Sequence, residues 1–126
     1  MHAYELNGAR ILEFSVNDAE VSAALDSSAL ISLALEHRAG LVILPVSEVG
    51  NGFFQLKTGV GGDLIQKFVN YRLRLAIIGD VEGYAERSTA LRAFILESNR
   101  GRTLWFSPTP ADLRARLALE RNLSTL

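Results

Sequence analysis

Short apolar runs alternate with amphipathic stretches along the chain, and each run predicts a strand. Residues 41–44 form such a run before Pro45, and residues 73–78 form another before Gly79-Asp80. Uninterrupted apolar runs are typical of strands covered on both faces, as in a parallel sheet flanked by helices. Residues 103–106 predict a further strand.

The N-terminal segment predicts an antiparallel hairpin. Asn7-Gly8 separates residues 3–6 from residues 10–14, and both turn positions tolerate the positive φ angles of a type I′ turn. Residues 15–18 are expected to cap a helical region that follows.

Helical spacing predicts the elements that connect the strands. The first carries an apolar stripe from Leu30 to His37 and is expected to end at Gly40. The next two span about residues 59–71 and 84–98, and the last opens at Pro110. A hairpin followed by repeated helix and strand units implies an α/β sandwich around a mixed, mostly parallel sheet. With no linker in the sequence, residues 1–126 are expected to form a single domain.

Composition narrows the function classes. The 126 residues are 48% hydrophobic, which is ordinary for one globular domain. The absence of cysteine excludes thiol catalysis and thiolate metal sites, and no other metal or cofactor motif stands out. A net charge of −1 gives no reason to expect a nucleic acid or a membrane as partner. Without a signal-peptide pattern or an apolar run of about 20 residues, a soluble cytoplasmic protein is expected.

The segment of residues 53–72 carries the most distinctive chemistry. On its predicted helix, Asp63, Gln66, Lys67 and Asn70 are spaced i, i+3, i+4 and i+7 and form a polar stripe opposite the apolar face. The two amides, Gln66 and Asn70, can direct hydrogen-bond donors and acceptors at one partner. A solvated helix face explains the same stripe equally well.

The loop before this helix supplies further candidates. One of the adjacent aromatics Phe53 and Phe54 can point outward as an apolar anchor, and Lys57 and Thr58 follow directly. Thr58 can cap the helix N-terminus. The glycine-rich start lacks the lysine and the spacing of a phosphate-binding loop, which favours a capped, tightly packed helix start over an anion site.

A second candidate group, Glu97, Asn99 and Arg100, ends the next helix. The leading hypothesis is a non-catalytic protein-binding or regulatory module that uses the 53–72 loop and helix and the 97–101 turn. The alternative is a small-molecule-binding protein or enzyme with a pocket near Lys67, Tyr71, Glu97 and Arg100. Homo-oligomerisation through Leu96 is a third hypothesis.

Four segments resemble a bacterial family, the domain of unknown function 4180 family. They are Phe53-Phe54-x-Leu56-Lys57-Thr58-Gly59, residues 66–72, residues 76–80 and residues 97–101. The resemblance extends from about Leu25 to Leu117 and implies no particular activity, since none is established for the family. Gly61-Gly62-Asp63 departs from the Ala-Gly-Glu associated with the family.

The order of predicted elements is also similar to the STAS domain of anti-sigma-factor antagonists and sulfate transporters. This similarity implies a STAS-like fold, in which a Ser or Thr near the start of the helix after the third strand is phosphorylated. Ser47 and Thr58 lie in the corresponding region, without the usual Asp-x-Ser-Gly arrangement. Phosphorylation there would add a charge of about −2 near a helix N-terminus.

Overall fold

The computed structural model describes residues 1–15, 27–49 and 60–124. The strands in these ranges are β1 (His2–Leu6), β2 (Ala9–Glu13), β3 (Leu41–Pro45), β4 (Arg74–Ile78) and β5 (Leu104–Ser107). The helices are α1 (Ser27–Glu36), α2 (Val46–Val49), α3 (Val60–Asn70), α4 (Glu82–Arg87), α5 (Thr89–Arg100) and α6 (Pro110–Ser124). Within the described ranges, no helix has both the length and the apolar character needed to cross a bilayer.

The five strands form one mixed sheet in the order β1-β2-β3-β4-β5. β1 and β2 are antiparallel, with Tyr4 opposite Ile11, and the remaining neighbours are parallel. The hairpin turn has φ angles of 52° at Asn7 and 83° at Gly8, as a type I′ turn requires. The predicted α/β class, the hairpin and the mixed, mostly parallel sheet are therefore confirmed.

The two faces of the sheet are covered unequally. Because β2 to β5 follow one another in chain order, right-handed crossovers place the connecting helices on one face. The main core lies there, where Leu30, Phe68 and Leu91 pack in the same cluster as Val42 and Ile77.

The opposite face is covered by α6, which packs Leu113 and Leu117 against a cluster that includes Ile11, Ile43 and Trp105. Five strands spaced about 4.8 Å apart make a sheet about 19 Å wide, whereas one helix with its side chains is about 10 Å across. Space therefore remains between α6 and the hairpin edge of the sheet.

The end of α1 differs from the expectation. The helix ends at Glu36, and Arg38, not Gly40, takes the left-handed conformation with φ 56°. The N–H of Ala39 donates to the carbonyl of Ala34 (2.8 Å) and the N–H of Arg38 to that of Leu35 (3.1 Å). This bonding is a Schellman motif.

The predicted helix over residues 84–98 is two helices, α4 and α5. They are separated at Ser88, whose backbone is extended (φ −152°, ψ 120°). The Ser88 hydroxyl accepts a hydrogen bond from the N–H of Leu91 at 3.1 Å and so caps α5. The Ser88 cap therefore starts a new helix at Thr89. The prediction of a single helix did not include this cap.

Candidate functional site

A cavity of about 290 Å³ lies on the second face of the sheet, between the first hairpin and α6. We call it the α6 groove. Its walls are mainly apolar, and Tyr4, Glu13, Ser15 and Arg114 supply the polar groups. The lining residues are Tyr4, Leu6, Ile11, Glu13, Phe14, Ser15, Ile43, Pro45, Ile78, Pro110, Leu113, Arg114 and Leu117.

The α6 groove lies where the parallel strands end. Glu13, Pro45 and Ile78 are the last residues of β2, β3 and β4, and all three line the cavity. Pro110 begins α6 at the same edge, directly after β5. In open α/β sheets, ligands commonly bind at the carboxyl ends of the strands. The groove lies at this edge of the sheet, although the strand order β1-β2-β3-β4-β5 has no topological switch point of the kind that forms such sites in doubly wound sheets.

Tyr4 and Glu13 form the polar centre of the groove. Glu13 shares a face of β2 with the buried Ile11, because side chains two positions apart in a strand point the same way. The Tyr4 hydroxyl donates a hydrogen bond of 2.6 Å to Oε1 of Glu13. The His2 ring stacks on the Tyr4 ring, with 5.0 Å between centroids.

The Tyr4 hydroxyl remains protonated well above neutral pH. Burial is the largest cause and, with the hydrogen bond to Glu13 and its charge, raises the pKa of Tyr4 to about 12. The charge of Arg114 acts on the same hydroxyl in the opposite direction. Tyr4 therefore stays a hydrogen-bond donor at neutral pH and orients the Glu13 carboxylate.

Arg114 brings a positive charge to the groove. It is in the second turn of α6, one position after the buried Leu113, and its side chain is exposed. Within the part of the chain that the structure describes, Arg114 forms no ion pair. The groove thus combines an oriented carboxylate with a guanidinium that is available to a ligand.

A smaller cavity of about 210 Å³ lies on the same face, at the hairpin turn. Its charged lining residues, Arg74 and Glu120, hydrogen-bond to each other at 2.9 and 3.2 Å. The guanidinium of Arg74 lies 4.4 Å from the centroid of the Trp105 ring, and that of Arg116 lies 3.9 Å from it. Arg74 and Glu120 thus bind each other, and this pair attaches α6 to the sheet at this end of the face.

The predicted polar stripe is exposed on α3. Asp63, Gln66, Lys67 and Asn70 all face solvent. Nε2 of Gln66 donates to Oδ1 of Asn70 at 3.0 Å, so the two amides bond to each other along the helix. Tyr71 follows the stripe and is exposed as well.

The predicted 97–101 turn contains two different kinds of residue. Glu97 and Arg100 form an exposed ion pair at 3.5 Å. Asn99 instead joins α5 to its neighbours, because its Oδ1 accepts from the N–H of Phe106 at 2.7 Å and its carbonyl accepts from Arg116. Asn99 therefore has a structural role that the sequence did not reveal.

Neither cavity described above is lined by Lys67, Tyr71, Glu97 or Arg100. A pocket among these four residues stays a prediction. Leu96, the residue proposed for oligomerisation, is 57% exposed.

The remaining predicted residues precede α3 in the sequence. Ser47 is exposed on α2. Phe53, Phe54, Lys57 and Thr58 lie outside the described residues. The partner and phosphorylation predictions that involve them stay predictions.

Sequence reasoning missed Tyr4, Glu13 and Arg114. The alternation of Ile11 and Glu13 does place both side chains on one face of a strand. This alternation does not predict that α6 covers the same face of the sheet. The position of α6 is what places Arg114 in the groove.

Comparison with known proteins identifies one family. No curated protein and no solved structure matches the chain. A family profile, Domain of unknown function (DUF4180), matches residues 6–117, from the last residue of β1 to Leu117 of α6. Since the match spans most of the chain, this protein belongs to the DUF4180 family.

Proposed function

We propose that this domain binds a small, mainly apolar molecule in the α6 groove. One observation carries the proposal: an apolar cavity of about 290 Å³ has its polar groups gathered at the carboxyl ends of the strands. Ligand pockets are typically concave and apolar, with a few polar groups that fix the orientation of the ligand.

The walls of the groove support binding without rearrangement of the core. Ile11, Leu113 and Leu117 are buried and pack in one cluster, so their side chains are already ordered. A preformed cavity spares a ligand the entropy cost of ordering its own binding site.

Ligand binding rather than proton transfer fits the chemistry of Tyr4 and Arg114. A general acid or base works best with a pKa near the working pH, whereas the pKa of Tyr4 is about 12. Arg114 carries a guanidinium, which stays protonated in proteins and so does not act as a general base. Both side chains are suited to holding and orienting a ligand.

A fragment screen by methyl NMR tests this proposal. We expect some small apolar fragments to shift the methyl signals of Ile11, Ile43 and Leu113, which line the groove. Leu113→Phe fills part of the cavity and should weaken binding at least about tenfold, whereas Leu96→Phe, at an exposed position of α5, should not. A folded protein whose groove methyl signals respond to none of the fragments would contradict the proposal.

A second candidate function is protein binding through α3 together with the 97–101 turn, as part of a regulatory module. The observation that favours it is a row of four exposed polar side chains on α3, with the exposed Val69 and Tyr71 on either side of its last residue in sequence. Protein interfaces commonly combine an aromatic anchor with surrounding polar groups.

Affinity purification of the tagged protein from its own cells, followed by native mass spectrometry, tests the second candidate. Replacing Gln66 and Asn70 together by alanine should remove a stoichiometric partner. Arg92→Ala, at an exposed position of α5, should retain that partner. Unchanged association of the double variant would exclude this surface.

A further inference from the structure

We infer that the ligand of the α6 groove is a zwitterion, an α-amino acid with an apolar side chain. The inference rests on the proposed function and assigns a chemical class to the ligand. It is carried by two opposite charges, Glu13 and Arg114, at the edge of an apolar cavity.

The two charges belong to one site but do not neutralise each other. Both act on the hydroxyl of Tyr4, which places them within electrostatic range of the same point. No ion pair joins Glu13 to Arg114 in the described part of the chain. A ligand that carries a cation and an anion a few bonds apart can therefore interact with both.

Glu13 supplies the site for an ammonium group. Its Oε1 accepts from Tyr4, and a carboxylate has two oxygens with about four lone-pair positions. Acceptor capacity thus remains while Tyr4 holds the group in place. An ammonium group donates three hydrogen bonds and would give Glu13 an ion-pair partner, which it does not have among the described residues.

Arg114 supplies the site for a carboxylate, since a guanidinium can bind both oxygens of a carboxylate through parallel hydrogen bonds. The N-terminus of α6 is a weaker candidate for this anion. The Thr109 hydroxyl already accepts from the N–H of Asp112 at 3.2 Å, and Asp112 itself adds negative charge to the first turn.

The cavity size limits the remainder of the ligand. Its volume of about 290 Å³ is at the lower end of the range for ligand pockets, about 300–1,000 Å³. The walls deeper than the charged edge are apolar, with Ile11, Ile43 and Leu117 among them. A branched or aromatic side chain fits this description, whereas a nucleotide brings too much polar surface.

Three probes with the same apolar body separate the contributions of the two charges. Leucine carries both groups, 4-methylpentanoate carries the carboxylate alone and 3-methylbutylamine carries the amine alone. Isothermal titration calorimetry at neutral pH should show that leucine binds at least about tenfold more tightly than either of the others. Methyl NMR should place the binding at Ile11 and Ile43 in the groove.

Two variants assign the charges. Glu13→Gln should lower the affinity for leucine to about that for 4-methylpentanoate and leave the affinity for 4-methylpentanoate unchanged. Gln retains an oxygen that can accept from Tyr4, so the hairpin contact is preserved. Arg114→Gln should lower the affinity for leucine to about that for 3-methylbutylamine. Arg92→Gln on α5 is the control and should leave leucine the tightest binder of the three probes.

The possible results distinguish the inference from the proposed function. If either singly charged probe binds as tightly as leucine, the inference is wrong and the groove still binds a small molecule. If leucine keeps its preference in both variants, the inference is wrong as well. If none of the three probes reaches the groove, an amino-acid ligand is excluded, and the fragment screen alone decides whether the groove binds anything.

Discussion

Arg74 and Glu120 form a bidentate ion pair that joins β4 to α6. Nη1 of Arg74 lies 2.9 Å from Oε1 of Glu120, and Nη2 lies 3.2 Å from Oε2. Their side chains are 21% and 23% exposed, so water screens the pair less than a surface ion pair. The pair lies near the amino ends of the parallel strands and holds α6 in place at the end opposite the α6 groove.

Removal of this charge pair should destabilise the protein. We expect Glu120→Gln to lower the free energy of unfolding by about 1–3 kcal/mol, because Arg74 would lose a charged acceptor in a partly buried position. Arg102 also contacts Glu120, at 3.1 Å, but is 72% exposed. Arg102→Gln should therefore cost less than about 1 kcal/mol. Urea unfolding of both variants measures the difference, and equal losses would contradict the assignment.

The same carboxylate should contribute to acid sensitivity. Burial raises the pKa of Glu120, but hydrogen bonds from Arg102 and Arg74 and their charges outweigh burial and lower it below its ordinary value of 4.5. Its stabilising contribution is thus present above the pKa of the unfolded chain and is lost as pH falls through the lower pKa of the folded protein.

Urea unfolding at a series of pH values below 4.5 should show this loss. The free energy of unfolding should fall less steeply with decreasing pH in Glu120→Gln than in the native sequence. Identical slopes would show that Glu120 is not the group responsible.

Two arginines in left-handed conformation should be replaceable by glycine with a gain in stability. Arg38 follows α1 with φ 56°, and Arg72 follows α3 with φ 58°. For residues other than glycine this conformation costs about 1–2 kcal/mol, which the higher unfolded-state entropy of glycine partly offsets. Arg38→Gly and Arg72→Gly are each expected to raise the free energy of unfolding by about 0.5–1 kcal/mol.

Alanine at the same positions provides the control. Arg38→Ala removes the side chain but keeps a Cβ atom in the left-handed conformation, so it should not reproduce the gain. Thermal unfolding of the paired variants tests this, and equal effects of glycine and alanine would point to the arginine charge instead of the backbone.

Local sequence patterns predicted the hairpin and the buried strands but not the end of α1. The hairpin follows from Asn7-Gly8, because few residue pairs adopt two successive positive φ angles readily. The apolar runs predict β3 and β4, because strands buried on both faces admit few polar residues. The predicted end of α1 at Gly40 was wrong, because the hydrogen bonds of a Schellman motif close the helix with Arg38 in a conformation for which glycine is the usual signal.

The candidate site was less accessible to prediction. Exposure of Gln66 and Asn70 follows from helical periodicity, yet periodicity does not show that the two amides bond to each other. Glu13 and Arg114 line the same groove because α6 covers the face of the sheet opposite to the helices that connect the strands. That choice of face depends on the whole topology and not on a local motif.

Gly79 is expected to tolerate no side chain. Its φ is 139°, and an added Cβ would lie 2.3 Å from Cγ1 of Val46. Gly79→Ala should therefore cost about 2–4 kcal/mol, through backbone strain and overpacking. Gly62→Ala and Gly83→Ala are matched controls on helices, since a Cβ at either position meets nothing within 4 Å. These two should instead stabilise the protein by up to about 1 kcal/mol, and chemical unfolding distinguishes the two outcomes.

The Tyr4–Glu13 bond should make the protein sensitive to high pH. Burial and Glu13 raise the pKa of Tyr4 to about 12 from its ordinary value of 10.0. Because the folded protein holds this proton more tightly than the unfolded chain, the stabilisation is complete below pH 10 and is lost as pH rises towards 12. Tyr4→Phe should remove this part of the pH dependence in urea unfolding, and the tyrosinate absorbance should lose its highest-pH component. Tyr71→Phe, at an exposed position, is the control. If the high-pH component persists in Tyr4→Phe, another tyrosine has the raised pKa, and Glu13 is oriented by other contacts.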